Sequence, residues 1–202
     1  MVPAAPAPTL AQTLLSEAER LQAANKLVEA RATLNKALLD NGSTPSDRTA
    51  IRKWMSELNQ TLIFSPTVAA GDTLTTTYTV VSNDNLEKIM RKEQLLPDKM
   101  LIARVNKMTD PNKLRIGQKL KVVKGPFHVV VSKSQFRMDV YAGDALSAGS
   151  LNQSNLAEHA EPSWTYITSF TVGLGEKNGT PLGNFIVKAN SKLVDPHWVN
   201  PR

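Results

Sequence analysis

The spacing of apolar residues changes along this chain, and that change limits which folds it can form. In residues 9–63, leucines and alanines recur every three or four positions, as on one face of a helix. From residue 127 onward, apolar and polar residues alternate instead, as in strands with one buried face. Residues 78–123 contain short patterns of both kinds. The sequence therefore predicts an α+β fold built from successive segments of different type.

Residues 9–63 are predicted to form helices in succession. Their inward positions are Leu10, Leu14, Ala18 and Leu21, then Leu27, Ala30, Leu34, Ala37 and Leu38. Gly42 is a stop signal, because glycine adopts the left-handed conformation that often ends a helix. Thr44, Pro45 and Asp47 then predict a new helix, with threonine as its N-cap and proline in its first turn. The segment resembles half of a tetratricopeptide-type hairpin. Two roles remain open for it: a helical spacer, or a groove that binds a partner.

Composition excludes several classes of function. The 202 residues include no cysteine, which excludes disulfides, thiolate metal sites and a cysteine nucleophile in this chain. The histidines, at positions 128, 159 and 197, lack metal-ligand spacing, so neither a metal nor another cofactor is expected. No apolar run approaches the about 18 residues of a membrane span. Residues 1–8 are a Pro/Ala-rich linker and not an export signal, so any such signal would have to lie upstream.

Positive charge is concentrated in the middle of the chain. Residues 71–123 hold 10 Lys/Arg against 6 Asp/Glu. Such an excess can favour an anionic polymer, although a solvated lysine-rich surface is the simpler interpretation. No aromatic residues are interleaved with these charges to stack on bases, so we expect no nucleic-acid partner.

Residues 78–123 have a β-α-α-β pattern that follows a linker over residues 64–77. A strand is predicted at residues 78–81, a helix after Asn85, a second helix from Leu96, and a closing strand from Gly117. Four motifs stand out in it: Tyr78-Thr79-Val80, Asn83-Asp84-Asn85-Leu86, Asn106 and Gly117-Gln118-Lys119-Leu120. In these motifs the segment resembles a LysM domain, the small module that binds peptidoglycan or chitin. Asn83 stands where that family usually has glycine, and asparagine tolerates the left-handed conformation.

The LysM resemblance implies a glycan site between two loops. The implied contact residues are Ser82, Asn83, Asp84, Asn85 and Leu86 in the first loop, and Thr109, Asp110, Pro111 and Asn112 in the second. The implied partner is peptidoglycan, through its N-acetylglucosamine strands, and the implied location is the cell envelope.

Residues 124–202 are predicted to be rich in strands, at 127–131, 136–140, 166–172 and 184–187, with a long loop over residues 142–163. The strand end at Gly173 and Gly175 is followed by Thr180, Pro181, Gly183 and Phe185. This element resembles the first half of an L,D-transpeptidase catalytic domain, which joins peptidoglycan stem peptides through a cysteine thioester.

The transpeptidase resemblance implies no catalytic residue in residues 1–202. The family's His-Gly-Thr and Ser-x-Gly-Cys-x-Arg segments do not occur here. We therefore expect the N-terminal portion of such an enzyme, inactive alone, with residues 124–202 as its least stable part. Two alternatives remain open: a peptidoglycan-binding protein without catalysis, and a cytosolic helical adaptor.

Overall fold

The fold is known from a computed structural model that describes residues 9–144, 163–175, 179–183 and 185. Within these ranges there are five helices and two antiparallel sheets, which confirms the predicted α+β class. The helices are α1 (Leu10–Ala23), α2 (Leu27–Leu39), α3 (Pro45–Leu62), α4 (Leu86–Lys92) and α5 (Lys99–Val105). The strands are β1 (Thr75–Thr79), β2 (Lys119–Val123), β3 (Phe127–Ser132), β4 (Arg137–Ala142) and β5 (Thr165–Thr171). One sheet pairs β1 with β2, and the other has the order β3-β4-β5.

Helix α3 begins as its sequence predicted. The Thr44 hydroxyl accepts a hydrogen bond from the Asp47 N–H at 3.1 Å, and the Asp47 carboxylate accepts one from the Thr44 N–H at 2.9 Å. Pro45 occupies the first turn, where a missing N–H costs nothing. The reciprocal cap satisfies two backbone donors that would otherwise lack partners.

The prediction that Gly42 adopts a left-handed conformation is wrong. Helix α2 ends at Leu39, Asp40 is extended at φ −68° and ψ 130°, and Gly42 has no positive φ. The Asp40 carboxylate accepts the Gly42 N–H at 3.0 Å. A Cβ at position 42 would come within 2.9 Å of that carboxylate oxygen, so glycine provides space here.

The first strand of the middle segment lies earlier than predicted. Strand β1 starts at Thr75, inside the stretch interpreted as a linker, and pairs from Thr75 opposite Val123 to Thr79 opposite Lys119. Val80 continues the pairing through two backbone hydrogen bonds with residues 117 and 118. Val81 leaves the sheet, because its N–H donates to the Asp84 carboxylate at 2.9 Å. The threonines at positions 75–77 suggested a linker, but they are β-branched residues, which favour strands, and they pair with β2.

One core joins the N-terminal helices to the β3-β4-β5 sheet. Asn59 of α3 donates its side-chain amide to the carbonyls of Tyr166 and Ile167, at 3.0 and 2.9 Å. Asn35 of α2 donates to the Trp164 carbonyl at 2.8 Å. Buried side chains from both sides fill the space between them: Leu34, Ile51, Met55, Tyr141, Trp164 and Tyr166. These helices and strands therefore bury one another, although they are far apart in sequence.

The middle segment has its own core and a buried polar connection to the rest. Its core contains Val80, Leu86, Ile89, Leu95, Ile102, Ala103, Leu120 and Val122. Lys121 of β2 is buried, and its ammonium donates to the carbonyls of Leu62 and Thr67, both at 2.6 Å. Burial lowers the pKa of Lys121. Nearby, Arg31 of α2 binds Asp72 through two hydrogen bonds at 2.6 and 3.3 Å.

The outer face of the β3-β4-β5 sheet is apolar. Val131, Met138 and Phe170 lie side by side across the three strands. Val131 is 44% exposed, and Phe170 and the neighbouring Val129 are each 52% exposed.

The expected low stability of residues 124–202 stays a prediction. Outside the described residues lie 184, 186 and 187 of the strand predicted at 184–187, residues 145–162 of the long loop, which include His159, and His197.

Candidate functional site

The two loops implied as the glycan site leave the β1-β2 sheet at the same end. Strand β1 ends at Thr79 opposite Lys119, where β2 starts. Residues 82–86 continue from β1 into α4, and residues 109–112 lie between α5 and β2. The pairing of the two strands therefore brings both loops to one edge of the module.

The first loop exposes three polar residues and buries one apolar residue. Asn83 has a φ of 63°, which confirms that asparagine takes the left-handed conformation here. Asn85 caps α4 by accepting the Lys88 N–H at 2.8 Å. Leu86, by contrast, belongs to the core and is only 4% exposed. Ser82, Asn83 and Asn85 are thus accessible to a ligand, whereas Leu86 supports them from below.

Asp84 holds the first loop in place. Its side chain is 1% exposed and accepts hydrogen bonds from the Tyr78 hydroxyl at 2.8 Å and the Lys92 ammonium at 2.5 Å. The Lys92 ammonium, together with the Val81 N–H, lowers the pKa of Asp84 to about 2. Because this carboxylate has a depressed pKa in the folded state, its stabilising effect is present above about pH 4 and disappears toward pH 2.

The second loop is an Asp-stabilised turn. The Asp110 carboxylate accepts the Asn112 N–H at 2.9 Å and lies 3.6 Å from the Lys113 ammonium. Asp110 and Pro111 are half-buried, and Thr109 and Asn112 are exposed. The Thr109 hydroxyl and the Asn112 amide are therefore open to a ligand, and the Asp110 side chain is 40% exposed.

Asn106 positions the second loop relative to the sheet. Its side-chain amide donates to the Lys121 carbonyl and its oxygen accepts the Lys121 N–H, both at 2.8 Å. The same amide group donates to the Ile102 carbonyl at 2.8 Å. This asparagine, quoted as a motif residue, thereby joins the end of α5 to β2.

The sequence reasoning missed one exposed apolar residue beside these loops. Ile116 is 75% exposed and precedes Gly117, which has a φ of 81°. Both residues lie in the connection from the second loop to β2. The signal for it in the sequence was an isoleucine that stands next to a turn glycine and belongs to no periodic apolar pattern.

The residues quoted for the transpeptidase resemblance come together only in part. The Gly175 N–H donates to the Thr180 hydroxyl at 2.8 Å, so the strand end and the Thr-Pro element are in contact. Gly183 has a φ of 144°. Gly173 and Pro181 are exposed, and Phe185 is 70% exposed.

Other features of the described residues bear on the site. A groove of about 530 Å³ lies beside α4, lined by Glu87, Met90, Arg91, Gln94, Leu95 and Leu96 and not by the implied contact residues. Within the described ranges, no three His, Asp or Glu residues are arranged to hold a metal ion. In the same ranges, no helix has the length and apolar character needed to cross a membrane.

Comparison with known proteins identifies one domain. The LysM domain family model matches residues 78–123. A solved structure, the MoCVNH3 variant Mo0v in complex with (N-GlcNAc)4, is 20% identical, with a TM-score of 0.24. That match covers 48% of this chain and 54% of the other, and a likeness this weak does not establish a shared fold. A search of the curated proteins found no match. Residues 78–123 are therefore a LysM domain within an α+β chain.

Proposed function

We propose that this chain binds peptidoglycan at the cell envelope through residues 78–123, by contact with N-acetylglucosamine units. The observation that carries the proposal is the LysM match over a module whose two loops are at the same end of the β1-β2 sheet. The match covers the loops, the helices between them, the whole of β2 and the last two residues of β1.

The exposed groups at that edge have suitable chemistry for a neutral sugar. Ser82, Asn83, Thr109 and Asn112 offer hydroxyl and amide groups that can bond sugar hydroxyls and acetamide groups. Ile116 offers exposed apolar surface against which the C–H face of a sugar ring can pack. Asp84 acts indirectly, because its carboxylate is already occupied by Tyr78, Lys92 and Val81.

We expect Asn112→Ala and Ile116→Ser to weaken retention of the full chain on purified peptidoglycan sacculi, Ile116→Ser by about tenfold. The expected size corresponds to losing about 1.5 kcal/mol of apolar contact. Pull-down at several protein concentrations measures the effect, and chitin beads test whether stem peptides are needed.

Lys124→Ala is the matched control, since this lysine is exposed and lies beyond the end of β2. Circular dichroism checks that each variant is folded. Equal retention of wild type and both loop variants, or no retention of wild type on either polymer, would refute the proposal.

A second candidate function is acyl transfer, as part of an L,D-transpeptidase. It is supported by the contact between Gly175 and Thr180, which joins the two elements quoted for that resemblance. The chain contains no cysteine, so it cannot itself form the thioester of this reaction.

We accordingly expect no covalent adduct when the chain is incubated with a disaccharide-tetrapeptide. Intact-mass spectrometry detects such an adduct directly. A mass increase equal to the acyl group, or a cross-linked peptide product, would show that another nucleophile in these residues acts.

A further inference from the structure

A second concave site lies outside the LysM domain, between helix α3 and the inner face of the β3-β4-β5 sheet. This basic cleft has a volume of about 250 Å³ and is lined by Thr49, Arg52, Lys53, Ser56, Arg137 and Ser169. Every one of these side chains is polar, which distinguishes the cleft from the apolar core beside it.

The helix and the sheet each contribute one side of the cleft. Positions 49 and 56 are each three or four residues away from both 52 and 53, so all four lie on one side of α3. Opposite them, Arg137 is on β4 and Ser169 is on β5, where Ser169 pairs with Asp139. The contact between Asn59 and β5 keeps these two walls at a fixed distance.

The charges in the cleft do not cancel. The carboxylate of Asp139 accepts two hydrogen bonds from Arg137 Nε, at 2.8 and 3.0 Å, and lies 3.3 Å from Arg52 Nε. That carboxylate is only 4% exposed, so the two guanidinium groups separate it from solvent. One buried negative charge thus faces three cations, counting Lys53, and positive charge remains in excess.

Donors remain available for a ligand. The Nε of Arg52 is buried against Asp139, so this guanidinium contributes positive charge to the cleft rather than a free Nε donor. Lys53 is exposed. The hydroxyl of Ser56 lies 3.4 Å from the Tyr166 hydroxyl, and when it accepts the tyrosine hydrogen its own hydrogen can be donated to a ligand. Guanidinium, ammonium and hydroxyl donors converging on one small space are the set that binds oxyanions.

We propose that the basic cleft binds a compact oxyanion, the carboxylate of a peptide terminus or a phosphate group. The volume fits one such group with a short flanking segment. This site shares no residue with the LysM domain, so oxyanion binding can be tested independently of glycan binding.

The test titrates the full chain with three probes: inorganic phosphate, acetyl-alanyl-alanine with a free carboxylate, and the amide of the same peptide. Calorimetry measures affinity, and amide NMR shifts locate binding at residues 49–56 and 169. We expect phosphate or the peptide acid to bind and the peptide amide not to. Which probe binds more tightly identifies the source of the oxyanion.

Lys53→Ala and Ser169→Ala are the informative variants, because neither side chain carries the ion pairs of Asp139. We expect Lys53→Ala to weaken oxyanion binding about tenfold, the effect of losing one charged hydrogen bond. Lys53→Arg should restore it, and Lys124→Ala should leave it unchanged. Absence of binding, or equal affinity of Lys53→Ala and wild type, would overturn the proposal.

Discussion

Replacing Arg31 with methionine is expected to lower the free energy of unfolding by about 3–5 kcal/mol, because it leaves the buried carboxylate of Asp72 unpaired. The two side chains are 5% and 0% exposed, and their shortest contact is 2.6 Å. Asp72 also accepts the Leu74 N–H at 3.0 Å, so its position is fixed and it cannot turn toward solvent. Urea denaturation followed by circular dichroism measures the loss.

Arg20→Met is the matched control for this effect. Arg20 pairs with Glu17 at 2.7 Å, but these side chains are 69% and 41% exposed, so we expect a loss below about 1 kcal/mol. The double variant Arg31→Met/Asp72→Leu should recover part of the stability, since it removes both buried charges. Equal losses for Arg31→Met and Arg20→Met would show that the buried pair contributes no more than a surface pair.

Replacing Trp164 with alanine is expected to cost about 3–5 kcal/mol and to unfold the helices together with the sheet. Trp164 is 3% exposed, and its ring stacks on His128 with 3.9 Å between ring centroids. It lies in the core shared with α2 and α3. Thermal unfolding followed by helical ellipticity, with tryptophan fluorescence as a second probe, measures the loss.

Phe170→Ala on the outer face of the same sheet is the control for Trp164. This side chain is 52% exposed, so we expect a change within about 1 kcal/mol. If Trp164→Ala leaves the helical transition at the wild-type temperature, the helices fold without the sheet. The shared core would then contribute little to their stability.

Features that depend on neighbouring residues could be predicted from the sequence. The start of α3 needs only Thr44, Pro45 and Asp47, and the left-handed residue before α4 needs only an asparagine at position 83. The helices and the LysM pattern were therefore accessible to periodicity and cap rules. The prediction for Gly42 was wrong even though it concerned neighbouring residues, because the Asp40 carboxylate accepts the Gly42 N–H and the chain leaves the helix without a left-handed glycine.

Features that depend on distant residues could not be predicted. Arg31 and Asp72 are 41 positions apart, and neither has a neighbour that indicates the pair. The basic cleft depends on how α3 packs against strands more than 80 positions later in the chain. In the LysM domain, exposed Asn83 was correctly placed in a loop, but the burial of Asp84 depends on Lys92 one helix away.

The contacts of Lys121 determine how this LysM domain can be transplanted into another protein. A graft cut at residues 78 and 123 would carry the lysine but leave behind the carbonyls of Leu62 and Thr67 that bind its ammonium. It would also remove Thr75–Thr77, which pair with the last residues of β2. A cassette starting near residue 62 would keep both sets of partners, so a functional module of this chain is longer than its family match.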